Sequence, residues 1–201
     1  MATTLFLRDI ASTLGGAGQK AMSQRRGNAV ITTTTNTVAS GTNITITATA
    51  GGQALTWFSE PLTAAVTITG QITRNIRVRE SATNVNAGIA LAIERCNTAG
   101  VVQSTVIARA VMGIEATTTE SARTLASTPT STAFAAGERI KVTLSVINVG
   151  TMGAGTFNTY HDGNVAAGSG DSYVTFTEDF RTDDILDVAA YEIIGTNGYK
   201  G

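Results

Sequence analysis

The segment Ile140-Lys141-Val142-Thr143-Leu144-Ser145-Val146 constrains the chain more than any other, because apolar and polar residues alternate through it without a break. Successive side chains of a strand point to opposite faces, so this run has one face for a core and one for water. Alternation recurs at Ile44-Thr45-Ile46-Thr47 and at Ile89, Leu91 and Ile93, and Val66, Ile68, Ile72, Ile76 and Val78 all fall at even positions. Thr67, Thr69, Thr73, Asn75, Arg77 and Arg79 take the other face. Arg74 interrupts the apolar row, and with Gly70 nearby it predicts a bulge or a bend. Further strands are expected over 53–59, 101–112, 156–161 and 172–177. Separated by Gly, Asn, Asp or Ala-Gly segments, about eight or nine such strands predict an all-β, antiparallel β-sandwich. No helical period of useful length interrupts them.

The two ends depart from this period. Residues 1–29 read as an N-terminal arm, with Leu5, Phe6, Leu7, Arg8, Ile10 and Leu14 ahead of a glycine-rich stretch and the basic Lys20, Arg25 and Arg26. Leu7, Ile10 and Leu14 fit one or two turns of amphipathic helix, which Gly15 and Gly16 would stop. Residues 30–180 form the sandwich domain, and residues 181–201 read as a C-terminal arm. There Asp183, Asp184 and Asp187 lead into Ile185, Leu186, Val188, Tyr191, Ile193 and Ile194. The apolar face of the N-terminal arm needs either its own sandwich or a neighbour to cover it, and apolar residues in a tail beyond a completed sandwich either return to cover its own edge or pair with another subunit, the second being the expected outcome. The predicted partner-binding residues are therefore Leu5, Phe6, Leu7, Arg8, Ile10, Leu14, Arg25, Arg26, Ile185, Leu186, Tyr191, Ile193 and Ile194.

Charge excludes some partners. With 14 basic and 15 acidic residues the chain has a net charge of −1, which gives no electrostatic reason for nucleic acid to bind. Charged residues make up only 14% of the chain, so Thr, Ser, Asn, Ala and Gly must cover much of the surface. Such a surface loses little side-chain entropy when another protein covers it, which favours assembly. No run approaches the roughly 20 apolar residues of a membrane span. Cys96 is the single cysteine, so no intrachain disulfide is expected and Cys96 reads as a small buried residue. Arg8 and Asp9 interrupt the only apolar stretch near the start, no signal peptide is expected, and synthesis in a cytosol follows.

Catalytic chemistry finds few residues to carry it. A Ser or Cys nucleophile needs a base held by a third group, and the one histidine, His161, precedes the turn signal Asp162-Gly163-Asn164. It reads as a polar residue at a hairpin. Glu178, Asp179, Asp183, Asp184 and Asp187 lack the spacing of a calcium loop and read as a solvated acidic stretch. Trp57 and Phe58 could stack on a sugar, but Trp57 beside apolar strand positions reads as core. No phosphate-loop, dinucleotide or zinc pattern is present, so no cofactor and no metal is expected.

Several segments together resemble jelly-roll-like virion structural proteins of tailed bacteriophages. They are Thr4-Leu5-Phe6-Leu7-Arg8, Thr56-Trp57-Phe58-Ser59-Glu60-Pro61-Leu62, Arg79-Glu80-Ser81 with Asn86-Ala87-Gly88, Gly137-Glu138-Arg139-Ile140, and Gly170-Asp171-Ser172-Tyr173-Val174-Thr175-Phe176-Thr177-Glu178. The likeness spans most of residues 1–180 and leaves out the C-terminal tail. It implies a sandwich of jelly-roll type and a place in the virion, as a decoration or cement protein on the capsid exterior. The implied partners are the major capsid protein and further copies of the chain, as a homo-trimer or other homo-oligomer, made in the host cytoplasm. Two other expectations stand beside it: a tail, neck or baseplate component, and a carbohydrate- or host-receptor-binding jelly-roll module.

Overall fold

A computed structural model describes residues 2–16, 18–25, 32–38, 54–113, 115–151, 153–161 and 172–183. Every regular element among them is a strand. In chain order these are β1 (Thr3–Ala11), β2 (Gln19–Ser23), β3 (Thr32–Val38), β4 (Ala54–Ser59), β5 (Val66–Ile68), β6 (Ile72–Glu80) and β7 (Ala87–Cys96). There follow β8 (Val102–Val111), β9 (Ser121–Ser127), β10 (Thr132–Phe134), β11 (Arg139–Asn148), β12 (Gly155–His161) and β13 (Tyr173–Phe176). Eleven strands form one sheet in the order β3-β12-β6-β13-β1-β2-β4-β11-β7-β8, with β9 on the free side of β6, while β5 and β10 pair separately. All the pairings are antiparallel except β2 with β4.

The sheet folds back on itself to make the sandwich. Trp57 on β4 packs edge-to-face on His161 at the end of β12, with ring centroids 5.7 Å apart, although four strands separate β4 from β12 in the sheet order. Inward residues from both halves join one apolar cluster: Ile72, Ile76, Val78 and Phe157 from one side, and Leu91, Ile93, Ile140, Val142, Leu144 and Val146 from the other. Each such side chain, fully buried, contributes about 1.5–3 kcal/mol of apolar transfer. The fork that lets the sheet turn lies at β6. Residues 72–75 pair with β13 and residues 77–80 with β12 on the same edge. Ser172 fills the gap between them: its Oγ accepts from the Arg77 backbone N–H at 3.0 Å and donates to the Tyr160 carbonyl. One hydroxyl thereby satisfies a donor and an acceptor that the parting ladder leaves behind.

The alternation in the sequence places the central strands well. Even residues of β6 point inward and β11 runs from Arg139 to Asn148 with Val142, Leu144 and Val146 buried. Arg74 differs from expectation. It causes no bulge, because β6 keeps an unbroken register with β9, and the side chain takes the inward place its position dictates. Its guanidinium bonds the Leu125 carbonyl at 3.3 Å and the Ser127 hydroxyl, and burial depresses its pKa.

The N-terminal residues are the larger correction. Residues 3–11 and 19–23, expected within an arm, are β1 and β2, placed between β13 and β4. No helical turn forms through Leu7, Ile10 and Leu14. Leu5 and Leu7 alternate inward and are completely buried, which leaves them no surface to offer another subunit. The register with β2 shifts between Leu7 and Ala11, and this irregularity turns Arg8 inward as well.

Candidate partner surface

Of the residues expected to bind partners, Leu5, Leu7 and Arg8 belong to the interior. The Arg8 guanidinium donates to the Arg25 carbonyl at 3.2 Å, and the Arg8 carbonyl accepts the Trp57 indole N–H at 3.1 Å. That bond satisfies the only polar atom of a buried tryptophan and removes Trp57 from any sugar platform. Leu14 is half-buried against the Gly100 turn, Ile10 is half-buried and Arg25 exposed. Arg26, Ile185, Leu186, Tyr191, Ile193 and Ile194 lie outside the described residues.

Among the described residues, Phe6 is the expected partner-binding residue that faces outward with aromatic area. It packs edge-to-face on Tyr173, its register partner on β13, at a centroid distance of 5.9 Å. Beside this pair Thr4 and Thr175 share a hydroxyl–hydroxyl hydrogen bond of 3.0 Å. Register then extends the outward face across the sheet. Tyr173 opposes Asn75 on β6, Asn75 opposes Thr124 on β9, and the Thr124 hydroxyl donates to Asn75 Oδ1 at 2.9 Å. The row Phe6, Tyr173, Asn75, Thr124 is uncharged, and the parallel row Thr4, Thr175, Thr73, Ala126 is uncharged too. Such a face buries under a partner without stranding an ion. Pattern reasoning missed it because it treated Phe6 as part of an arm and assigned no strand over 121–127.

The other candidates resolve into structural roles. His161 is buried, with Nε2 3.2 Å from Lys20 Nζ and 3.5 Å from Asp9 Oδ1, and Lys20 also contacts Asp9. It is therefore part of a joint between β1, β2 and β12 rather than a polar residue at a hairpin. Glu178 accepts the backbone N–H groups of Thr69 and Gly70 at 2.7 and 2.5 Å. Partial burial works to raise its pKa, but these donors outweigh it and hold the carboxyl below its ordinary range. It thus fixes the turn between β5 and β6. Asp184 and Asp187 lie outside the described residues, and among the described residues no group of His, Cys, Asp or Glu is arranged to hold a metal ion. Cys96 is buried, and burial pushes its thiol up to about 11.

Two polar devices went unread in the sequence. Arg139 and Glu60 form a buried ion pair, with Nη1 3.2 Å from Oε2, and the guanidinium also donates to the Ser59 carbonyl at 2.9 Å and the Thr98 carbonyl at 3.1 Å. Thr13 Oγ1 donates to the same Glu60 oxygen at 2.7 Å. The second is Glu80, buried with Oε2 3.4 Å from the Ala87 N–H, whose pKa burial raises and the neighbouring Glu115 raises further. The only sequence signal for either was a charged residue at a position whose neighbours read as strand.

Comparison of folds finds the architecture inside much larger proteins. A CocE/NonD family hydrolase from Staphylococcus aureus superposes with a TM-score of 0.56 at 10% identity, over 89% of this chain and 36% of that one. An aminopeptidase from the marine sediment archaeon Thaumarchaeota archaeon gives 0.58 at 10% identity, over 89% and 37%. An α-amino acid ester hydrolase gives 0.55 at 12% identity, over 90% and 36%. The chain spans little more than a third of the length of these proteins, and at such identity the likeness is one of fold alone. The infectious bursal disease virus Gx strain structure is matched at a TM-score of 0.30 with 14% identity, over 96% of this chain and 54% of that one, which is too low to carry an argument. No protein-family model and no curated protein matches the sequence.

Proposed function

We propose that the chain is a non-catalytic structural protein of a tailed-phage virion, made in the host cytoplasm, which binds the major capsid protein on the capsid exterior as a decoration or cement protein. One observation supports the reading most: the segments that resemble that family meet one another in space. Trp57 bonds the Arg8 carbonyl, Glu60 pairs with Arg139, and Leu62 exchanges backbone bonds with Glu138 and Gly137 at 2.9 and 2.8 Å. The Leu7 N–H bonds the Ser172 carbonyl at 2.9 Å, and Thr4 and Phe6 pair in register with Thr175 and Tyr173. Glu80 and Ala87 join the next two pieces, with the Ala87 N–H 3.4 Å from Glu80 Oε2. Segments scattered in sequence thus make up a single framework, as expected if the resemblance is to a whole fold.

In that role the sandwich provides rigid bulk across joints between capsid subunits, and several contacts per oligomer multiply through effective concentration. With β1 and β2 built into the sheet, the capsid contact falls to the uncharged face around Phe6 and Tyr173 and to residues 184–201. Purified protein is added to undecorated heads and the particles are imaged. The expected result is saturable density on the head, reduced for Phe6→Ala and for a chain ending at residue 183. Density on the tail, neck or baseplate, or no binding to heads, overturns the reading. Selective binding on a glycan array would move the chain to the carbohydrate-binding class.

A further inference from the structure

We infer that the outer edge of β9 is a self-pairing surface, on which β9 of a second copy docks antiparallel about a two-fold axis through Thr124. Among the described residues β9 pairs with β6 alone, in a register unbroken from Ser121↔Val78 to Ser127↔Ile72. Two hydrogen bonds fix which of its groups point away. The Glu80 N–H reaches the Thr117 carbonyl on the β9 side of β6, while the Arg77 N–H reaches Ser172 Oγ on the opposite side. Backbone groups of a regular strand alternate between its two edges, so the even residues of β6 face β9. Their register partners Ser121, Arg123, Leu125 and Ser127 spend their N–H and C=O groups on β6. Ala122, Thr124 and Ala126 present theirs outward.

Among the described residues the strand lacks the usual protection of an edge. It holds no proline, no lysine and no bulge over its seven residues, and its one charge, Arg123, is tied back to the Glu115 carbonyl at 2.6 Å. By contrast β8, at the end of the sheet, is broken by three register shifts against β7. What selects a second copy as the occupant is the sequence Ser121-Ala-Arg-Thr-Leu-Ala-Ser127, which reads nearly the same in both directions. Antiparallel pairing about Thr124 sets Thr124 against Thr124, Ala122 against Ala126 and Ser121 against Ser127. Arg123 then faces Leu125, so no like charges meet. Such a contact is isologous by construction. Seven residues bury much less than the roughly 1,200 Å² of a stable interface, so the pairing is weak in dilute solution. It does not rest on the capsid role.

The test uses the full chain. In a hydrogen-bonded antiparallel pair the opposed Cα atoms stand about 5.5 Å apart, within disulfide reach. T124C should therefore form a disulfide-linked dimer under mild oxidation. A122C should not, because its two thiols would lie four residues out of register, roughly 14 Å apart at about 3.4 Å per residue. The native Cys96 is buried and does not compete. In sedimentation at high protein concentration the native chain should show dimer, and Thr124→Lys, which sets two ammonium groups face to face, should lower it. Equal cross-linking of T124C and A122C, or association that Thr124→Lys leaves unchanged, overturns the inference.

Discussion

Removing one partner of the Glu60–Arg139 pair should unfold this protein more readily than any surface substitution. Both side chains are almost fully enclosed, at 4% and 7% exposure. In Glu60→Ala the guanidinium keeps the Ser59 and Thr98 carbonyls but loses its counter-charge, and Thr13 loses its acceptor. Breaking a buried pair from one side costs about 3–5 kcal/mol, because the remaining charge stays buried without compensation. At about 2–4 °C per kcal/mol for a domain of this size, the midpoint of thermal unfolding falls by roughly 6–20 °C. Glu60→Gln should lose less, since an amide oxygen can still accept from Thr13 and Arg139. The double variant Glu60→Leu, Arg139→Met removes both charges and should recover most of the loss. Far-ultraviolet circular dichroism on heating and denaturant titration of all four proteins provide the numbers. A single-variant loss under about 1 kcal/mol, the range of an exposed pair, would refute the reasoning, and so would a double variant that loses as much as Glu60→Ala.

The remaining predictions concern titration and packing. Glu178, held below its ordinary range, contributes stability that is present above that range and lost as pH falls through its folded-state value, so Glu178→Gln should destabilise at neutral pH and converge with the native protein in acid. Glu80 has the opposite sign: its raised pKa makes the ionised form costly, so Glu80→Gln should raise the midpoint at neutral pH and lose that advantage near pH 4, as the native carboxyl becomes protonated. Cys96, buried and with its thiol near 11, should resist thiol reagents in the native state and react stoichiometrically in denaturant. Trp57→Phe leaves the Arg8 carbonyl without its indole donor and removes ring volume, for a loss of about 1–3 kcal/mol by denaturant titration.

The sandwich was legible where burial is one-sided. β6 buries alternate residues throughout, and β7 and β11 do so over 91–94 and 140–144 although both faces are buried over 87–91 and 144–147, so Ile72, Ile76, Val78, Leu91, Ile93 and Val142 announce their own geometry. Period fails where a strand is short or irregular. β1 reads as helix because the shift between Leu7 and Ala11 moves Arg8 inward and spaces Leu7, Ile10 and Leu14 like one helical stripe. β9 gives no apolar signal, since its inward residues are Ser, Arg, Leu and Ser. The outward face was illegible for a different reason: Phe6, Tyr173, Asn75 and Thr124 are distant in sequence, and register alone brings them into line. Periodicity can tell which way a residue points. It carries no information on which strands are neighbours.

Several buried polar groups of this fold sit where strand pairing has to end or change partner, and that placement bears on how the outside can be used. Ser172 stands where β12 and β13 part, the Trp57 bond to Arg8 where β1 goes out of register, and Arg139 with Glu60 where β4 and β11 end. At each point a backbone or charged group would otherwise be orphaned, at about 1–3 kcal/mol for a neutral group and more for an ion. Satisfying them internally helps to fix the turn-back of the sheet, together with the Lys20, Asp9 and His161 joint between β1, β2 and β12. The outer rows of Thr, Ala, Asn and Phe carry cross-strand contacts but no charge. An uncharged surface of this kind can be covered at little desolvation cost, as the proposed assembly role and the proposed β9 pairing both require.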